Sequence, residues 1–168
     1  MTDPVSNPAE SATDVARDFL ELLEAENLDR ALTLLDERVV YTNVSLPTVR
    51  GRTAVERLLR PLVGPVGFRV HFHAIGTDVA DPGVVLTERT DALVVGPVSV
   101  QFWVYGRFEV RDGRIVLWRD SFDWRDIAMG MVRGVVGVAV PSIRRTWPAA
   151  PAGDSAGDVR RGGRVHTE

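Results

Sequence analysis

The sequence contains no cysteine and no lysine. The lack of cysteine excludes disulfide bonds, thiolate metal sites and a cysteine nucleophile. All 20 basic residues are arginine, which we attribute to the base composition of the genome rather than to a function. Basic charge is not in excess either, because 23 acidic residues bring the net charge to −3. Nothing in this balance favours a nucleic-acid partner.

Long apolar runs are also missing. The most apolar segment, IAMGMVRGVVGVAV, contains Arg133 and is shorter than the roughly 20 residues that a membrane-spanning helix needs. We therefore predict no membrane span, and we interpret the segment as an amphipathic helix that closes the domain or contacts a second subunit. The N-terminal residues are polar and acidic, unlike the basic and apolar regions of a signal peptide, so a cytoplasmic location is expected.

The length suits one domain. A chain of 168 residues, 45% of them hydrophobic, can bury a substantial core. Residues 1–11 and 146–168 are rich in small and polar residues, which predicts disordered ends. The domain is therefore expected to cover residues 12–145.

Helical and β patterns alternate along this domain. Helices are predicted to begin near Ser11, Leu28 and Thr53, the first and third at capping-box signals, and a last helix covers residues 124–140. Predicted strands cover residues 39–44, 68–75 and three successive segments between Thr87 and Asp123. Helices gathered against a curved, mostly antiparallel sheet predict an α+β domain with a deep apolar pocket.

Charged residues occupy positions where the strand alternation calls for buried apolar ones. The face of the first of the three strands carries Val85, Arg89, Asp91, Leu93 and Val95, and that of the third carries Val116, Trp118, Asp120 and Phe122. Two carboxylates and one guanidinium are costly to bury unless they pair. We therefore expect Arg89 to meet both Asp91 and Asp120 inside the pocket.

Two more polar residues have the spacing to join this group. Tyr41 and Asn43 are two positions apart on a predicted strand and can face the same cavity. The predicted pocket walls are Val85, Leu93, Trp118 and Phe122. The more desolvated carboxyl of such a pair keeps its proton and can donate it, whereas the other stays ionised and can accept one. This chemistry suits the addition of water to a strained or polarised bond, and it requires no metal and no cofactor.

The three motifs Tyr41-Thr-Asn43, Arg89-Thr-Asp91 and Trp118-Arg-Asp120-Ser-Phe-Asp123 resemble those of the limonene-1,2-epoxide hydrolase family. The resemblance extends over roughly residues 12–143. It implies an NTF2-like cone, in which three to four helices cover the pocket of a strongly curved six-stranded sheet that is mixed or antiparallel. Members of the family are usually homodimers.

The resemblance also implies a reaction and a role for each polar residue. An epoxide is opened by water in one step, without a covalent intermediate. Asp120 takes a proton from the water, Tyr41 and Asn43 hold the water, Asp91 protonates the epoxide oxygen, and Arg89 bridges the two carboxylates. The implied substrate is a small lipophilic epoxide of the terpene, styrene or sterol type.

Other interpretations of the same residues remain open at this point. Arg89 and Asp91 alone could form an ordinary ion pair on an exposed face, and Tyr41 could be a core residue. His71 and His73 have the spacing of a metal pair, but no third ligand is evident, so we predict no metal site. The alternative functions are a non-catalytic NTF2-like protein that binds small lipophiles and a ketosteroid-isomerase-like enzyme, to which a bridging Arg89 is less well suited.

Overall fold

The computed structural model describes residues 11–44, 46–143 and 146–148. Its helices are α1 (Ala12–Glu24), α2 (Leu28–Thr33), α3 (Arg52–Leu59) and α4 (Trp124–Ala139). Its strands are β1 (Leu35–Asn43), β2 (Val49–Arg50), β3 (Gly67–Thr77), β4 (Val84–Val95), β5 (Val98–Arg111) and β6 (Arg114–Phe122). They form one sheet in the order β2-β1-β6-β5-β4-β3, in which β1 and β6 are parallel and the other neighbours antiparallel. The prediction of an α+β domain with a mixed six-stranded sheet is confirmed.

Several strand boundaries differ from those expected. β1 begins four residues before the predicted Val39, and β4 begins at Val84 rather than at Thr87. The two-residue β2 was not predicted at all, because it forms only where residues 49 and 50 meet β1. Pairing partners, which local alternation does not reveal, extend or create these strands.

Of the two predicted helix caps, one is confirmed and the other is wrong. Ser11 accepts a hydrogen bond from the Asp14 amide and donates its own amide to the Asp14 carboxylate, which is the predicted capping box. The box predicted at Thr53 is wrong, since α3 begins at Arg52 after Gly51, whose φ is 86°. This left-handed conformation favours glycine, so backbone geometry rather than a capping side chain begins α3.

The apolar side of α1 fills one end of the concave face of the sheet. It buries Val15, Phe19, Leu20 and Leu23. The ring of Phe19 packs edge-on against Phe108 and Trp118, with ring centres 6.5 Å and 5.1 Å apart. Leu23 and Trp118 reach from this filled end to a cavity whose wall continues along α3 and the start of α4.

Helix α4 covers a free edge of the sheet. β5 continues past the end of β6, and the Trp103 amide on that edge donates to Asp126 of α4 over 3.1 Å. Gly130 and Gly134 approach β5 so closely that a Cβ on either would lie 2.8 Å from a backbone carbonyl oxygen. The outer side of α4 exposes the apolar residues Met129, Met131, Val132, Val135, Val136 and Val138.

The described part of the chain holds no helix that is both long and apolar enough to cross a membrane. The segments predicted to be disordered lie outside the described residues, except for Ser11 and residues 146–148. Within the latter, the Trp147 ring lies 4.2 Å from the Arg69 guanidinium.

Candidate active site

The strand register brings the predicted polar residues to one place on the sheet. Asn43 of β1 is paired with Asp120 of β6, and Asp120 is paired with Gly106 of β5. Gly106 is in turn paired with Thr87 of β4, the strand that carries Arg89 and Asp91. Because side chains alternate along β4, Thr87, Arg89 and Asp91 project to the same side of the sheet.

The Arg89 guanidinium connects the two carboxylates. Its side chain is fully buried, and its Nε donates to Asp91 Oδ1 at 2.9 Å and Oδ2 at 3.1 Å. Its Nη2 lies 2.7 Å from Asp120 Oδ1 and forms a buried ion pair with it. Its Nη1 donates to Thr87 Oγ1 at 3.0 Å. Three nitrogens of one guanidinium thus have three different partners.

Tyr41 and Asn43 stand beside Asp120. Asn43 Nδ2 donates to the Tyr41 hydroxyl oxygen at 2.5 Å, and the Tyr41 ring lies 4.1 Å from that of Trp118. Among the described residues, no donor bonds to the buried oxygen Asn43 Oδ1, whereas Asp120 Oδ1 is paired with Arg89. Both residues line the same cavity, so the Asn43 amide oxygen and the Asp120 carboxylate are able to accept hydrogen bonds from a bound molecule.

Burial shapes the charge states of the group. Desolvation raises the pKa of Asp91 from 3.8 to about 7, opposed by the charge of Arg89 and reinforced by that of Asp120. Burial would lower the pKa of Arg89, but the two carboxylates together raise it, so the guanidinium stays cationic. Burial, followed by the nearby Asp120 charge, also raises the pKa of Tyr41, which keeps its phenolic proton. One carboxyl of the group can therefore carry a proton near neutral pH.

A cavity of about 570 Å³ opens beside these groups. Its polar lining residues are Tyr41, Asn43, Asp91 and Asp120, and it includes the predicted wall residues Leu93, Trp118 and Phe122. Val85 was also predicted as a wall residue, but it is fully buried in the hydrophobic core. It is paired with Phe108, one step further along the inner face from Thr87, and this position is covered by core side chains.

Much of the cavity wall was not predicted. The additional lining residues are Leu23, Leu46, Pro47, Val49, Leu58, Leu59, Leu62, Phe68, Phe102, Val104, Trp124 and Ile127. The alternation along β5 could have indicated Phe102 and Val104, because they pair with Asp91 and Arg89 on the same face. The residues before α3, by contrast, have no local pattern that points to a cavity.

The two histidines considered for a metal belong to the opposite face of the sheet. The His73 ring is stacked on Trp103 at 4.3 Å and forms a hydrogen bond of 2.9 Å with Thr90 Oγ1. His71 packs edge-on against His73. The described residues contain no group of three or more His, Cys, Asp or Glu side chains that could hold a metal ion.

Comparisons with known proteins agree on one family. Residues 10–133 match the limonene-1,2-epoxide hydrolase catalytic domain. Epoxide hydrolase EphG of Mycobacterium tuberculosis is 50% identical over 128 residues, which cover 76% of this chain and 84% of that protein. The structure of a limonene-epoxide-hydrolase-like epoxide hydrolase of M. tuberculosis has 45% sequence identity and a TM-score of 0.76, covering 84% of this chain and 100% of that one.

More distant structures share the fold alone. An NTF2-like protein of unknown function from Cytophaga hutchinsonii has 16% identity and a TM-score of 0.55, covering 68% of this chain and 92% of that one. The family match, the mycobacterial sequence and the mycobacterial structure carry the conclusion about activity, and the distant structure supports the expected NTF2-like architecture. The chain therefore belongs to the limonene-1,2-epoxide hydrolase family and is an epoxide hydrolase of that type.

Proposed function

We propose that this epoxide hydrolase adds water to a lipophilic epoxide in one step, without a covalent intermediate or a cofactor, and releases a vicinal diol. The observation that carries the proposal is the buried group of Asp91, Arg89 and Asp120, whose two carboxylates line one apolar cavity. A protein that only bound lipophiles would have no reason to bury two carboxylates on one guanidinium, because such burial is costly.

The base side of the reaction involves Asp120, Asn43 and Tyr41. A water molecule accepts a hydrogen bond from the Tyr41 hydroxyl and donates to Asn43 Oδ1 and to the Asp120 carboxylate. As the water oxygen attacks an epoxide carbon, Asp120 takes one of its protons. Holding the water in this way makes the attack effectively intramolecular.

The acid side of the reaction involves Asp91. Because burial raises its pKa to about 7, Asp91 can hold a proton near neutral pH. It gives this proton to the epoxide oxygen as the C–O bond breaks, so the leaving oxygen becomes a hydroxyl. Arg89 keeps a positive charge between the two carboxylates throughout. The enzyme returns to its starting state when a proton passes from Asp120 back to Asp91.

The cavity supports a lipophilic substrate. Apart from the four polar residues, its lining is aliphatic or aromatic, and its volume of about 570 Å³ falls within the ~300–1,000 Å³ of pockets for drug-sized ligands. We propose an epoxide of the terpene, styrene or sterol type.

The cytoplasmic location expected from the N-terminal composition stays a prediction.

The reaction is tested with a panel of terpene, styrene and sterol epoxides in ¹⁸O-labelled water, with enzyme in excess over substrate. A one-step addition should place ¹⁸O in the diol during the first turnover and none in a protein carboxylate. Unlabelled diol in the first turnover, with ¹⁸O appearing in an aspartate, would show a covalent intermediate and contradict the proposal. Mass spectrometry of the diol and of digested protein measures both.

We also propose that the enzyme is a homodimer and that the outer side of α4 contributes to the contact. Val132 and Val135 are 56% and 57% exposed on that side, although both are large apolar residues. Contiguous exposed apolar surface often marks an interface between proteins. The start of α4 lines the cavity and its later turns expose the valines, so one helix can serve both purposes.

The double substitution Val132→Glu and Val135→Glu should convert the dimer into a monomer, because four carboxylates would then face one another across the contact. Analytical ultracentrifugation of the parent should give twice the mass of one chain. Val79→Glu is the matched control, since Val79 is fully exposed in a loop. A parent enzyme that sediments as a monomer at micromolar concentration would refute the proposed dimer.

A further inference from the structure

We propose that Thr87 and Gly106 are positioning residues that set the orientation of the Arg89 guanidinium and, through it, of both carboxylates. The inference rests on the roles proposed for Arg89, Asp91 and Asp120, and it adds two residues outside the cavity lining. For Arg89 to contact both acids at once, its guanidinium must be held in one particular orientation.

Thr87 holds one terminal nitrogen of the guanidinium. Arg89 Nη1 donates a hydrogen bond of 3.0 Å to Thr87 Oγ1, and Nη2 lies 2.7 Å from Asp120 Oδ1. Thr87 is only 4% exposed, so water does not readily replace its hydroxyl. A second nitrogen, Nε, is held by Asp91 at 2.9 Å. Together, Thr87 and Asp91 therefore determine the plane in which Nη2 approaches Asp120.

Gly106 provides the space in which the guanidinium lies. In the sheet, Gly106 is paired with Thr87 on one side and with Asp120 on the other. A Cβ at this position would overlap Arg89 Nη1 and Thr87 Oγ1, and it would lie 3.1 Å from Asp120 Oδ1. Arg89 can therefore reach across β5 to Asp120 only because residue 106 has no side chain.

The role of Thr87 is tested by Thr87→Val, which keeps the shape but removes the acceptor, and by Thr87→Ser, which keeps the hydroxyl. Thr87→Val should lower kcat by about tenfold to a hundredfold and leave KM within about twofold, because Thr87 does not line the cavity. The pH at which kcat/KM falls should rise, since a displaced Arg89 no longer favours the ionised form of Asp91. Thr87→Ser should restore both the rate and the pH profile.

Thr90→Val is the matched control for this pair. Thr90 is a buried threonine of the same strand, but its hydroxyl bonds to His73 on the opposite face of the sheet. This variant should keep the parent kcat and pH profile. If Thr87→Val changes the melting temperature while its kcat and pH profile stay those of the parent, Thr87 is merely structural and the inference fails.

Gly106→Ala should lower kcat by at least about a hundredfold, because the methyl group displaces the guanidinium and a misplacement of about 1 Å can have that effect. Gly76→Ala is its control, since Gly76 is also within a strand but has nothing within 4 Å of an added Cβ. Parent kcat in folded Gly106→Ala would overturn the role of Gly106. Should Gly106→Ala fail to fold, the Thr87 variants still decide the inference.

The outcome for Asp120→Asn separates this inference from the proposed mechanism. An inactive Asp120→Asn together with an unaffected Thr87→Val overturns the positioning role and leaves the mechanism intact. An Asp120→Asn enzyme that turns over at the parent rate overturns the mechanism itself, whatever the Thr87 variants do.

Discussion

Asp120→Asn should lower kcat for epoxide hydrolysis by about 10²–10⁴-fold, the usual contribution of a positioned acid or base. The amide has nearly the shape of the carboxylate but cannot take a proton from water. KM should change little, because the apolar wall of the cavity supplies most of the contact with substrate. Single-turnover and steady-state kinetics on the best epoxide of the panel measure both constants.

The substitution also alters a buried ion pair, so folding must be checked alongside the rate. Arg89 keeps its bonds to Asp91 and Thr87, and we expect a lower melting temperature with an unchanged circular dichroism spectrum. Asp112→Asn removes the same charge in an exposed turn and is the matched control. Parent-like kcat in folded Asp120→Asn would refute the role of Asp120 as the base.

Substitution of Asp91 should give the second large effect, which is visible in the pH dependence of the rate. Because its pKa is raised to about 7 by burial, the parent kcat/KM should fall as pH rises above about 7 and the acid loses its proton. Asp91→Asn should lower kcat by about 10²–10⁴-fold, and its residual activity should lack this fall. Rate profiles between pH 5 and pH 9 measure both, with Asp112→Asn again expected to follow the parent.

The raised pKa of Asp91 also predicts how the stability of the protein depends on pH. In the unfolded chain Asp91 loses its proton near its ordinary pKa of 3.8, whereas in the folded protein it does so near 7. Between these values the folded state binds more protons, so the contribution of Asp91 to the free energy of unfolding is complete below about pH 4 and is lost as pH rises toward 7. The free energy of unfolding of the parent minus that of Asp91→Asn, measured with urea, should therefore fall as pH rises over that window. It should stay constant above it.

A rate profile of the parent that stays level up to pH 9 would contradict the assignment of Asp91 as the acid. A constant difference in unfolding free energy between pH 4 and pH 7 would contradict its raised pKa. The two measurements are independent, since the first depends on catalysis and the second on folding alone.

The sequence predicted which polar side chains come together better than it predicted the shape of the cavity. The two-residue alternation placed Arg89 and Asp91 on one face of a strand, and the high cost of buried charge indicated that they would pair with Asp120. The same alternation put Val85 on the inner face but could not tell the filled end of that face from the open one. Val85 consequently lies in the core, whereas Leu93, on the same face, lines the cavity.

Other features had no local signal at all. β2 exists only where it meets β1, and the wall residues Leu46 and Pro47 precede it in a segment without alternation. The capping box predicted at Thr53 competed with a left-handed glycine at position 51, which began α3 two residues earlier.

By itself, the sequence determined which acids, amide, phenol and guanidinium could act and which of them share a strand face, because alternation is a property of the extended backbone. Only the tertiary structure decided that Asn43, Asp120, Gly106 and Thr87 form one row across four strands. Only the packing of α1 and α3 against the sheet decided which end of the inner face stays open as a cavity. The strand register and the depth of the cavity depend on which strands pair and on where helices cover them. These contacts join residues that are far apart in the chain.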